Sequence, residues 1–154
     1  MYPTKAAFIA AIKIGRISVE SQNDVSNASF AQGKSFVVVE DDAMVSEALR
    51  VALSMMGGTV MCFDNGEDAL QYPNIENADC YIVDYRLSGK VNGINFLSLL
   101  HQKMRKSVCA VMISGDTSPN LLRKTEFFDW PMLHKPINLT TLLSKLREQY
   151  KRGR

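Results

Sequence analysis

Long apolar runs are missing from this sequence. None approaches the roughly 20 residues that span a bilayer, so a soluble, cytoplasmic protein with no transmembrane segment is expected. A secretory signal is also wanting: Ala6 to Ile14 is apolar, but Lys13 interrupts it and no small-residue cleavage site follows. Cysteine is scarce and odd in number. Cys62, Cys80 and Cys109 lack metal-ligand spacing and each sits in or beside an apolar run, the pattern of buried reduced thiols. Nor is there an excess of one charge: with 22% charged residues and a net charge of +2, the chain is neither a disordered acidic tail nor a uniformly basic nucleic-acid binder. The positive balance lies at the ends, in Lys5, Lys13, Arg16 and Lys34 against Glu20 and Asp24, and in Lys151, Arg152 and Arg154. Residues 35–150 are left at −3, which argues against that body gripping a phosphate backbone. Internal repeats and low-complexity blocks are absent too.

What is present is one domain's worth of chain, 154 residues at 46% hydrophobic, enough to bury a sizeable core. Ser18 to Gly33 has the Ser, Asn and Gln content of a linker. The expected organisation is an N-terminal extension and linker over 1–33, a folded domain over 34–150 and a basic tail over 151–154. Within the extension, Phe8, Ile9 and Ile12 space a short helix over Lys5 to Ile14 that would need a surface to dock on.

From Lys34 onward, short apolar runs alternate with segments of helical period, which is the signature of stacked βα units around a parallel sheet. The runs are Phe36–Val39, Thr59–Phe63, Cys80–Val83, Cys109–Ile113 and Trp130–Leu133. Their continuous apolar character suits strands covered on both faces. Helices are expected from Val45 to Met56, stopped by Gly57-Gly58, over Glu67–Gln71, over Ile94–Met104, over Pro119–Phe127 with Thr117 or Ser118 as cap, and after Asn138. The fold class is therefore α/β, a doubly wound five-stranded parallel sheet with helices on both faces.

In such a sheet ligands bind beyond the carboxyl ends of the strands. The first run ends in Glu40-Asp41-Asp42, the third in Asp84, the fourth in Ser114 and the fifth in His134-Lys135-Pro136. Carboxylates so gathered repel one another unless a cation neutralises them, and hard oxygen ligands point to Mg²⁺. That ion keeps few protein ligands, so its octahedron calls for a phosphoryl group, for which Lys135 offers a charge and Ser114 a hydrogen bond. Asp84, alone after its strand, is placed as a nucleophile, and aspartyl phosphates are known covalent intermediates. His134 should point away from Lys135 by strand alternation and is read as structural.

The segments VVVEDD, YIVDYRL, VMISGD and LLHKP, in this order and spacing, resemble the receiver domain of two-component response regulators over Lys34 to Tyr150. Asp84 lies 43 positions after Asp41, Ser114 30 further on and Lys135 21 after that. The resemblance implies a flavodoxin-like strand order of 2-1-3-4-5 and makes Asp84 the phosphoacceptor. It implies that Asp41 and Asp84 ligate Mg²⁺ directly, Glu40 through water and Arg86 by its main-chain carbonyl, and that Ser114 and Lys135 hold the phosphoryl group. A cis peptide is implied before Pro136. A receiver catalyses its own aspartyl phosphorylation and dephosphorylation without turning over an external substrate. Where the family often places Tyr or Phe, three residues before the lysine, this chain has Met132.

Two functions compete: a switch phosphorylated by a sensor histidine kinase or phosphotransfer protein, and a scaffold that works without phosphorylation. A Mg²⁺-dependent phosphatase is disfavoured because the second acid of one such superfamily, two residues after the nucleophile, is here Arg86. Four residues after Tyr150 leave no DNA-binding domain, so output is expected through an unidentified downstream protein, with a homodimer admitted. Arg86 and Asp116, two residues after Asp84 and Ser114, are expected to meet across the mouth of the site.

Overall fold

The computed structural model describes residues 17–18, 25–116 and 118–153; the helix expected over Lys5 to Ile14 and the alternative cap Thr117 lie outside them. Five strands form the main sheet: β2 (Ser35–Val39), β3 (Thr59–Phe63), β4 (Cys80–Asp84), β5 (Ala110–Ser114) and β6 (Met132–His134). They pair in parallel in the order β3-β2-β4-β5-β6, which is 2-1-3-4-5 when these five are counted alone. The flavodoxin-like topology is thus as expected.

Period-two alternation sends the side chains of each strand to two cores. Phe36, Val38, Cys80, Ile82, Val111 and Ile113 face one side, where they meet helix α2 (Ala43–Met55) and helix α6 (Leu139–Arg152). Val37, Val39, Tyr81, Val83, Ala110 and Met112 face the other, against helix α3 (Gly66–Gln71), helix α4 (Gly93–Met104) and Trp130. The three inner strands are buried on both faces, which is why their sequences read as apolar without a polar alternation. Truncating one of these fully buried side chains, Ile82 for instance, costs about 2–5 kcal/mol.

The five helices after β2 each start on a polar cap. Asp42, Asn65, Asn92, Ser118 and Asn138 each accept a first-turn N–H through the side chain. Ser118 opens α5 (Pro119–Lys124), which passes into a 3₁₀ turn over Thr125–Phe127 rather than continuing as one helix to Phe127. Asp42, Asn65, Asn92 and Ser118 lie beyond the carboxyl ends of strands of the main sheet, while Asn138 itself ends β7.

Two readings need correction. The fifth strand of the main sheet begins at Met132, while Trp130 packs in the core with its Nε1 donating to Val108 O at 3.1 Å. The stretch read as linker contains helix α1 (Val25–Ala31) and, before it, strand β1 (Ile17–Ser18), paired in parallel with β7 (Ile137–Asn138). Tertiary contact overrides the polar composition there: Phe30 and Ala31 are buried, and the Phe30 ring meets Tyr150 edge-on at 5.6 Å. Lys34 Nζ lies over both rings, 5.2 and 5.0 Å from their centroids. All three cysteines are free; Cys80 and Cys109 are buried with their sulfurs 3.5 Å apart, while Cys62 is half-buried. No helix among the described residues is long and apolar enough to cross a membrane.

Candidate functional site

Strands β2, β4 and β5 end side by side, so the residues that follow them share one edge. Glu40 and Asp84 are buried, Ser114 is wholly so, and Asp41 is exposed at the rim. One carboxylate oxygen from each of Glu40, Asp41 and Asp84 lies within 4.8 Å of the others. Asp42, third in the acidic run, is spent on the helix: its Oδ1 accepts from Met44 N at 3.0 Å and Val45 N at 3.4 Å.

Lys135 closes the cluster from the neighbouring strand end. Its N–H donates to Ser114 O at 2.8 Å, which fixes the backbone, and its Nζ lies 2.5 Å from Glu40 Oε1 and 3.0 Å from Asp84 Oδ2. The Lys135-Pro136 peptide is cis, as the resemblance implied. Burial pulls the ammonium's pKa down, but the Glu40 and Asp84 carboxylates outweigh it and hold it above the usual lysine value. Glu40 moves the other way: burial first, then the adjoining Asp84, push its carboxyl from 4.5 to about 9, with Lys135 opposing.

The loop after β4 is tied down. Arg86 N–H donates to Asp84 Oδ1 at 3.1 Å, and Gly93, at the start of α4, packs so closely that a Cβ would meet Asp84 O at 2.3 Å. Glu67 was not singled out from sequence, yet its Oε1 accepts from Lys90 N at 2.9 Å and Val91 N at 2.7 Å. No periodicity signals such a bond, since it joins a helix start to an irregular loop. Across the mouth, Arg86 Nε donates to Asp116 Oδ2 at 3.1 Å and its Nη2 contacts the same oxygen. The Ser118 backbone N–H and then Arg86 hold the Asp116 carboxyl down to about 2. Asp116 N–H in turn donates to Ser114 Oγ at 3.0 Å.

His134 Nδ1 is buried without a hydrogen-bond partner among the described residues. Met132 packs half-buried against the core that holds Trp130 and Met112. Of the aromatic residues before it, Phe128 stacks on Tyr85 at 5.8 Å while Phe127 is 84% exposed.

Comparison with known proteins matches this architecture. A family model described as the response regulator receiver domain fits residues 36–147. A cyclic di-GMP phosphodiesterase of Thermotoga maritima is 30% identical over 110 residues, 71% of this chain and 29% of that protein, so the chain spans less than a third of that relative. The solved signal receiver domain of an HD domain-containing protein from Pseudomonas fluorescens Pf-5 has a TM-score of 0.67 at 22% identity, covering 78% of this chain and 96% of that one. A CheY-like receiver domain protein from Methanospirillum hungatei JF-1 gives 0.63 at 24% identity over 78% and 98%. The structural likenesses speak for the fold alone. The family model spans every strand of the main sheet from Phe36 onward and each residue gathered at its carboxyl edge, and on that ground the chain belongs to the response regulator receiver domain family.

Proposed function

We propose that the chain is a phosphorylation-dependent signalling switch in which Asp84 accepts a phosphoryl group and the change is read by a partner protein. The observation that carries this reading is Lys135 Nζ held between Glu40 Oε1 and Asp84 Oδ2, an ammonium already stationed where a phosphoryl oxygen would arrive. A carboxylate oxygen of Asp84 attacks the phosphorus of a phosphohistidine on a sensor kinase or phosphotransfer protein. The O–P bond forms as the P–N bond breaks, and the leaving imidazole nitrogen takes a proton from solvent. Lys135 then pairs with one phosphoryl oxygen and the Ser114 hydroxyl donates to another. Attack of water on phosphorus later returns Asp84 and inorganic phosphate.

The residues present fit Mg²⁺. The donors are all oxygen, the three carboxylates lie within one ion's reach, and Glu40 Oε2 is buried without a hydrogen-bond partner among the described residues. Asp41, Asp84 and the Arg86 carbonyl would hold it directly and Glu40 through water. When bound, the ion would neutralise the carboxylates and offset the negative charge of an incoming phosphoryl group.

The second reading, a scaffold independent of phosphorylation, draws on Met132, which puts a flexible thioether where the family often has a switching aromatic ring. Incubation with acetyl phosphate and Mg²⁺ followed by a Phos-tag gel separates the two. A shifted band is expected; an unshifted one would favour the scaffold. Either way the acidic body, net −3 over 35–150, suits a protein partner better than DNA.

A further inference from the structure

Lys135 acts at the end of a long side chain, so its reach depends on where its backbone is held. β6 is the edge of the main sheet and bonds to β5 alone, leaving the chain beyond it with support on one side. The N-terminal segment supplies support to the residues that follow. Ile17 stands opposite Ile137 and Ser18 opposite Asn138 in a separate two-stranded parallel sheet. Asn27 of α1, 3% exposed, donates from Nδ2 to Thr140 O at 3.3 Å and Ser144 Oγ at 3.4 Å. The Phe30–Tyr150 contact fixes the same helix to the far end of α6. Main-chain pairing and side-chain bonds thus converge on residues 137–144, which begin two positions after Lys135.

We infer that β1 is a main-chain clamp on the segment after Lys135, and that Ile17 and Ser18 are positioning residues for the phosphoryl chemistry, acting through the ammonium. The inference rests on the reading of Asp84 as phosphoacceptor. Its physical basis is that Nζ must bridge two carboxylates and then follow a phosphoryl oxygen, and a misplacement of about 1 Å at such a group can cost up to about a hundredfold in rate.

The test uses the full chain carrying Ile17→Pro and Ser18→Pro together, which removes both N–H groups of β1 and leaves the α1 contacts in place. Labelling by acetyl phosphate with Mg²⁺ is timed for this variant in the natural background and in Lys135→Met. A clamp acting through Lys135 slows labelling by about three- to tenfold in the first background and not at all in the second. Asn27→Ala, which breaks the bonds to α6 while keeping β1, should slow labelling in the same background-dependent manner, and it serves if the double proline variant melts early. Equal slowing in both backgrounds would reduce β1 to a structural role, and an unaltered rate in the natural background would remove the clamp while leaving the Asp84 reading intact. Failure of the unmodified protein to label at all would overturn that reading and the clamp with it.

Discussion

At the scale of single residues, the site is a charge problem: clustered carboxylates meet one ammonium, that of Lys135, set between Glu40 and Asp84. On the proposed reading Asp84→Asn keeps the shape and loses the phosphoacceptor, so acetyl phosphate labelling should disappear while the melting temperature stays the same or rises, since one negative charge leaves the cluster. Equal labelling of the variant would displace Asp84 as acceptor. Glu40 supplies a pH signature. Its carboxyl is raised from 4.5 to about 9 in the folded state, so between those values the folded chain binds more protons than the unfolded one and stability falls as pH rises. In EDTA, melting temperature should drop by a few degrees from pH 5 to pH 8. Glu40→Gln, which cannot ionise, should flatten that slope; parallel slopes for the two proteins would assign it to another group. The positions of these residues were legible because strand ends are punctuated by polar side chains after apolar runs. The raised carboxyl of Glu40 was not, because it depends on depth of burial that spacing does not record.

At the scale of elements, the strand-end loops decide how open the site is. The Arg86–Asp116 pair joins the loop after β4 to the loop after β5, and its two members are anchored differently: Asp116 by the Ser118 and Ser114 bonds, Arg86 by its N–H on Asp84. The Arg86 side chain is 71% exposed, so solvent screens the pair and it adds little to stability. Its effect should be kinetic, shielding phospho-Asp84 from water. Arg86→Ala and Asp116→Ala are each expected to speed dephosphorylation by about two- to fivefold, with the double variant no faster than either, because removing one partner already opens the mouth. Unchanged rates would dismiss the shield, and multiplied effects would show two independent residues. Sequence offsets were sufficient to foresee this contact, since both residues stand two places beyond the ends of paired strands. The Glu67 bonds to Lys90 and Val91 were beyond its reach, because a helix start meeting an irregular loop follows no period.

At the scale of the whole molecule, what remained illegible was the edge of the domain. Val25–Ala31 is polar enough to read as linker, yet Phe30 and Ala31 are buried in the core cluster that includes residues of α6. A short helix of that kind has no stability of its own; it exists because a surface is waiting for it. That surface includes Tyr150, near the last turn of α6, and Lys34 caps the pair of rings at the entry to β2, so the helix links the beginning of the sheet to the end of the chain. If the folded unit starts at α1 and not at Lys34, Phe30→Ala should behave as a core truncation and lower unfolding free energy by about 2–4 kcal/mol, somewhat under a fully enclosed Phe because the site lies at the margin. Urea denaturation with a single shared transition would read it, and Ser29→Ala on the exposed side of the same helix is the control, expected within about 0.5 kcal/mol of the natural protein. A Phe30→Ala change as small as the control would return residues 25–31 to the status of a linker. A large loss would place the Phe30–Tyr150 contact inside the same cooperative unit as Asp84 and Lys135.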